Sequence, residues 1–373
     1  MSPTQPLLQH FSHLKDPRVK RTQLHPLENI LTIAICAVIC GAENWTEIED
    51  FAYAKEEFFS QIIDLSNGIP SHDTFGRVFA ALDPRAFAEG FTAWVQTLVS
   101  DWSDDIVAID GKTMRRSLDK ANGKAAVHLV SAFSAHNRLV LGQVKVGDKS
   151  NEITAIPELL KRLTLSGCLV TLDAMGCQRK ITSNIREAGA DYVLSLKGNQ
   201  RELFDDTQRY FDWCENHPEK KYLHDDTDAG HGRVERRVVE TVDVEWLASR
   251  GLWADMQSLV RVQSERHVGE QISHETRYFI SSLPAREVER IAHAVRAHWQ
   301  VENGLHWCLD IAFSEDQQRM REGNAASNMA LLSKIALNLL KHTKSKVGVK
   351  SRRKRAGWDN AFLLQALGKA SSI

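Results

Sequence analysis

Cysteine is scarce in this sequence: six residues (Cys36, Cys40, Cys168, Cys177, Cys214 and Cys308) in 373, with no two in a C-x-x-C pair. So sparse a set rules out a disulfide scaffold, argues against a cysteine-built zinc site, and fits a reducing, intracellular setting. An excess of charge of one sign is also missing. Lys and Arg total 47 against 48 Asp and Glu, a net charge of −1, so any attraction to a polyanion has to be local. Long hydrophobic runs are absent as well: the longest, Ile30 to Ala42, is too short to span a bilayer. The opening MSPTQPLLQHFSHLKD lacks the basic-then-apolar order of a signal peptide. The expectation is a soluble, cytoplasmic protein, nucleoid-associated if bacterial. No internal repeat or low-complexity stretch stands out, and 43% hydrophobic with 25% charged residues is globular composition that excludes wholesale disorder.

What is there changes texture along the chain. Residues 1–100 read as helical: Pro26 precedes LENILTIAICAVICGA, Trp45 to Ile62 alternates acids with apolar residues at helical spacing, and Ser71, His72 and Asp73 start a helix at Thr74. A helix, a polar turn and a second helix suit DNA reading, although small helical bundles share the pattern. From about Asp104 strands take over. Ile106–Ile109 and Cys168–Leu172 are continuous apolar runs, as in strands covered on both faces, and they end in Asp110 and Asp173. Val127–Ser134 and Leu139–Val146 flank His136-Asn137 as a hairpin, Tyr192–Leu196 is a third apolar strand, and helices fall at Thr154–Leu163 and Gln178–Ala188. That order gives a mixed sheet with packed helices. Between 217 and 283 β-like segments alternate with polar loops such as HDDTDAGHGR, a β-rich insertion. Helices follow at about Arg286–Cys308 and Ala325–Leu340. From Lys341 to Arg355 there are eight Lys or Arg and no acid, either a solvated tail or a grip on a polyanion.

Three acids carry the chemical argument. If the strands before Asp110 and Asp173 are parallel neighbours, both carboxylates leave the sheet at one edge, where open α/β sheets bind ligands; as a plainer alternative, each is a turn residue at a strand end. On the long helix, Ile291, Val295, Trp299, Leu305 and Leu309 define a buried stripe that includes Glu302. A carboxylate there needs a partner, either an arginine such as Arg296 or a metal. His298 and His306 flank Glu302 at four residues on each side, so a zinc-binding H-x-x-x-E-x-x-x-H set is an alternative reading of the same helix.

The segments IDGK (Asp110), TLDAMGCQ (Asp173), LSLKGNQ and HWQVENGLHWCLDIAFSED (Glu302), with LKDPRVKRTQLHPL and PSHDTFGRVF before them, together resemble the DDE-class insertion-sequence transposases of the H-repeat-associated group over nearly the whole chain. The resemblance implies an α/β, RNase H-like mixed sheet with flanking helices, a β-rich insertion before the last catalytic helix and a helical amino-terminal region. It sets expected domains at 1–100 (DNA-binding), 104–216 and 284–342 (catalytic), 217–283 (insertion) and 343–373 (basic tail). The acids are 63 and then 129 residues apart. Related transposases carry Tyr, Arg and a later Lys around the glutamate, where this chain has Val295, His298 and Leu309; His298, Asn303 or His306 are the candidate substitutes for those DNA contacts.

The resemblance further implies metal-dependent phosphodiester cleavage at element ends and strand transfer into target DNA. Two Mg²⁺ ions are expected, replaceable by Mn²⁺, with Asp110 bridging them and Asp173 and Glu302 each holding one. Lys112, Lys197, Asn199, Arg352, Arg353, Lys354 and Arg355 are the further candidate DNA contacts, and a homodimer or larger assembly is expected on DNA ends. A DNA-binding relative that no longer cuts is the alternative.

Overall fold

The computed structural model describes residues 5–118, 123, 125–147, 150–230 and 232–368. Among them, helices α1 (Gln5–Gln9), α2 (Leu27–Cys40), α3 (Trp45–Ala54), α4 (Glu56–Ser60), α5 (His72–Ala81) and α6 (Pro84–Gln96) open the chain. Capping sets their starts: the side chains of Asn44, Ser71 and Asp83 accept from the backbone N–H groups of Glu47, Thr74 and Arg85. The single helix expected from Trp45 to Ile62 breaks at Lys55, whose backbone leaves the helical region (φ −118°, ψ 22°).

A meander of β1 (Ile106–Thr113), β2 (His128–Ser134) and β3 (Val140–Lys145) follows, then α7 (Glu152–Leu160), β4 (Leu169–Leu172), α8 (Arg179–Glu187), β5 (Asp191–Leu196) and α9 (Arg201–Cys214). The first three strands pair antiparallel, while β4 lies parallel to both β1 and β5. The order β3-β2-β1-β4-β5 with that polarity is the RNase H-like arrangement. Strands β6 (Tyr222–Gly230), β7 (Arg233–Asp243), β8 (Ser258–Val268) and β9 (Gln271–Ser281) form an antiparallel ribbon, joined to the same sheet because β9 pairs with β5. The segment HDDTDAG, expected as loop, is therefore most of an edge strand. Its Asp225, Asp226 and Asp228 pair with Arg236, Arg237 and Arg296, and its polarity reflects a bare sheet edge that charge protects from further pairing.

After the ribbon come α10 (Val288–Val301), a π-helical turn at Glu302–His306, α11 (Trp307–Phe313), α12 (Ala325–His342), α13 (Val349–Trp358) and α14 (Asn360–Ala366). Helix α12 is buried from Ala325 to Leu340 and packs against α2, α5, α6, α13 and β3, so the helices at both ends of the chain share one core. No single helix among the described residues is long and apolar enough to cross a membrane.

The expected basic tail is folded as far as residue 368; residues 369–373 of it lie outside the described residues. Arg352 donates to the carbonyl oxygens of Leu340, Thr343, Ser345 and Val347, closing the end of α12. Arg353, 4% exposed, donates to the carbonyls of Val38, Ala42 and Ala312 and lies 4.2 Å from the centre of the Phe313 ring. Both expected DNA contacts are thus corrected: neither guanidinium reaches a phosphate without unpacking the helices it ties. Lys354 and Arg355 remain on the surface.

Candidate active site

Asp110 and Asp173 come together because β1 and β4 are parallel neighbours with Ile109 opposite Leu172, so the next residue of each chain leaves the sheet at one edge. Asp173 caps a short 3-10 turn, one carboxylate oxygen accepting from the N–H groups of Met175 (3.0 Å) and Gly176 (3.2 Å). Asp110 accepts a 3.0 Å hydrogen bond from Nε2 of His306. Burial disfavours its charged form, but His306 and the Gly111 N–H outweigh burial and hold its pKa below the usual carboxylate value. His298 shares a 2.9 Å hydrogen bond with Thr171, two residues before Asp173. Burial lowers its pKa against the opposing pull of Asp110 and Asp173, so the ring is neutral at pH 7.

Glu302 does not join the aspartates. The buried positions run through Ile291, Val295, Val301, Leu305 and Leu309, while Trp299, ahead of the π turn, and Glu302, at its first position, face solvent. Glu302 was expected on the buried stripe, and this corrects it. His298 and His306 do face the aspartates, but they diverge to Thr171 and Asp110. No three His, Cys, Asp or Glu among the described residues converge as metal ligands, so the zinc set on this helix has no geometric support.

Two strand-end carboxylates fit a hard divalent cation such as Mg²⁺, which keeps several waters and takes one or two carboxylates together with substrate phosphates. The surroundings are otherwise short of positive charge. Lys112, expected to touch phosphate, is instead held by Asp310, Glu315 (3.0 Å) and Asp316 (3.8 Å). Lys197 is exposed at the end of β5, which runs parallel to β4 and so delivers it to the same edge as Asp173. Asn199 donates to the Ala174 carbonyl at 2.7 Å and braces the turn that Asp173 caps. Asn303 is exposed on the π turn.

Sequence reasoning missed Glu152. It is the first residue of α7, and its carboxylate meets Nε2 of His128 at 2.6 Å, while the other ring nitrogen of His128 meets Thr113 at 2.7 Å. Burial raises its pKa, His128 opposes that, and the negative charges of Asp173 and Asp110 add to the rise. The available signal was the hairpin: an antiparallel excursion through β2 and β3 returns the chain to the edge where β1 ends, so the helix after it starts beside Asp110.

The chain is similar to known proteins along nearly its whole length. Residues 101–339 match the family model described as "Transposase DDE domain", and residues 8–95 match one described as "DDE_Tnp_1-associated". A relative from Escherichia coli O157:H7, "Putative transposase YncI", is 42% identical over 99% of this chain and 96% of its own. "H repeat-associated putative transposase YhhI" of Escherichia coli K12 is 40% identical over 97% of each. Among solved structures, a piggyBac transposase synaptic complex with hairpin DNA aligns at a TM-score of 0.46 and 10% identity, covering 100% of this chain and 83% of that one.

Proposed function

The chain belongs to the transposase DDE domain family, and from that premise we propose that it cuts phosphodiester bonds at the ends of a DNA element and joins them to target DNA. The observation that carries this reading is the register that sets Asp110 beside Asp173. In it, Asp110 and Asp173 hold the divalent cations, Mg²⁺ or Mn²⁺ with two ions expected, which when bound stabilise charge on the phosphoryl oxygens and activate the attacking oxygen. His306 keeps Asp110 ionised and fixed in orientation. His298, neutral and tied to Thr171, adds no cation that would compete for the aspartates. Lys197 contacts a phosphate and Asn199 holds the Asp173 turn. Water attacks in the first cleavage and a DNA 3′-hydroxyl in strand transfer, so no covalent enzyme intermediate forms. Glu302 completes the acid set once the helix carrying it is brought to the DNA.

End recognition belongs to residues 1–100 in this proposal, supported by the exposed Lys15, Lys20 and Arg21, and the chain acts as a homodimer or larger assembly on paired ends. A second reading, DNA binding without cleavage, is favoured by the solvent-facing Glu302. One experiment separates the two: supercoiled plasmid carrying candidate ends is incubated with the protein in Mg²⁺, Mn²⁺ or Ca²⁺. Cutting is expected in the first two, binding with little cutting in the third. Asp110→Asn, Asp173→Asn and Glu302→Gln are each expected to lower cleavage by at least about a hundredfold, with end binding largely kept. Near-parental cleavage by any of the three removes that residue from the site, and no cutting by the parent in any metal leaves the binding-only reading.

A further inference from the structure

The turns beside Asp173 carry positive charge that no acid of the described residues neutralises. Strands β4 and β5 are parallel with Leu172 opposite Leu194, so the turn after Asp173 and the turn after Leu196 leave the sheet at one edge. Side chains of the second turn tie it to the first: Asn199 donates to the Ala174 carbonyl at 2.7 Å, and Gln200 to the Cys177 carbonyl at 3.0 Å. Helices α8 and α9 start from these turns. No acid occurs between Asp173 and Glu187 or between Asp191 and Glu202, whereas Arg179, Lys180 and Lys197 are exposed. Arg186 is paired with Asp191 and Asp255, and Arg201 faces Asp205, but among the described residues Arg179, Lys180 and Lys197 have no carboxylate partner. Arg179 is also held in place, its guanidinium 6.0 Å from the centre of the buried Trp253 ring. In a chain of net charge −1, three unpaired cations on two joined turns make a local surface for an anion.

Their place along the sheet says which anion. Residues 1–100 meet the sheet at β3, through α6. Asp110 and Asp173 leave it from β1 and β4, and the cations stand at the end of β5 and the start of α8, across the aspartates from β3. Neighbouring strands lie roughly 5 Å apart, so a phosphate held at β5 is close to the one at the aspartates. A duplex gripped by residues 1–100, with its bond to be cut at the aspartates, continues over this surface.

We propose that Arg179, Lys180 and Lys197 hold the phosphate backbone of the duplex that flanks the element, beyond the bond to be cut, without reading its bases. This rests on the end-recognition and active-site readings above and adds the partner on the other side of the cut. Guanidinium and ammonium groups on phosphates release counterions whatever the sequence. That suits DNA whose sequence changes with each insertion, while residues 1–100 read the part that does not change.

The test uses the full chain in Ca²⁺, where binding with little cutting is expected. Two duplexes carry the same candidate element end: one stops at the cleavage point, the other continues for about one helical turn of flank. The parent is expected to bind the longer duplex more tightly and with a steeper salt dependence. Arg179→Ala combined with Lys180→Ala is expected to weaken binding to the longer duplex by about tenfold or more and to make its salt dependence shallower by about two. The loss should be the same for flanks of different sequence, with binding to the shorter duplex and the melting temperature close to the parent's. Arg179→Lys, which keeps the charge, should keep the parent's slope. Equal loss on both duplexes places the pair on the element itself and overturns the proposal, as does loss on neither. Strand transfer lost while flank binding is intact gives the surface to target DNA and overturns it too; in each of these cases the end-recognition reading stands. A parent that binds both duplexes no better than random DNA overturns that reading and this inference together.

Discussion

Arg353 sits in the most basic stretch of the sequence, yet its guanidinium serves carbonyl oxygens on α2, the residue after its C-cap, and α11. Burial presses its pKa down to about 10 against the opposing pull of Glu43 and Cys40, which leaves it charged at pH 7. Arg353→Ala strips a charged donor from several buried acceptors and opens a cavity, a loss of roughly 3 kcal/mol or more. Thermal unfolding is expected to show a melting temperature lower by about 4 °C or more, with affinity for DNA unchanged at a temperature where the variant is folded. Replacing the exposed pair Lys354 and Arg355 with Ala should do the opposite, sparing stability while making the salt dependence of DNA binding shallower by about two. An unchanged slope would leave this helix with no part in gripping DNA. A run of eight basic residues reads as one surface in sequence, but the helix turns two of them inward, and composition carries no information about which two.

At the scale of single elements, strands were the most legible part. IVAI and CLVTL are covered on both faces, so burial writes itself into them as unbroken apolar runs, and the aspartates at their ends could be named before the pairing was seen. The helix with Glu302 was misread because adjacent residues lie about 100° apart around a helix and the apolar spacing did not separate Val301 from its neighbour: Val301 is buried and Glu302 exposed. Strand β6 was misread because an edge strand bare to water has the composition of a loop. Gly304 lies within the π turn, where an added Cβ would come 3.0 Å from the Phe133 ring, and its carbonyl accepts from Lys341 at 2.7 Å. Turns of this kind are frequent at functional sites, and in the proposed reaction the Glu302 carboxylate, exposed here, reaches the aspartates by a movement at this turn. Hydrogen exchange at residues 302–306 is therefore expected to be faster than in α12 in the free protein, and to slow when end DNA and Ca²⁺ are added together. Exchange unaffected by DNA would mean the turn is a fixed part of the fold and Glu302 stays where it is.

On the scale of the whole molecule, the amino-terminal helices are not a detachable unit. Asn328 on α12 donates to the carbonyls of Phe79 and Leu82, Asn338 binds both backbone groups of Val140 on β3, and Arg353 ties α13 to α2. A fragment ending at residue 100 would leave α2, buried along eleven of its fourteen residues, with much of that surface in water. It is expected to lack a cooperative thermal transition and to lose specific binding to element ends, while the full chain keeps both; a sharp transition in the fragment would show that the first hundred residues fold alone. The same connectivity governs what happens on the ribosome. Strand β5 waits for β9, His306 arrives 196 residues after the aspartate it steadies, and the central helix is completed only at His342. Contacts so distant in sequence form late and slowly. Translation therefore releases both aspartates long before it releases the residues that assemble the edge around them, and a chain interrupted anywhere in the ribbon carries the acids without a site.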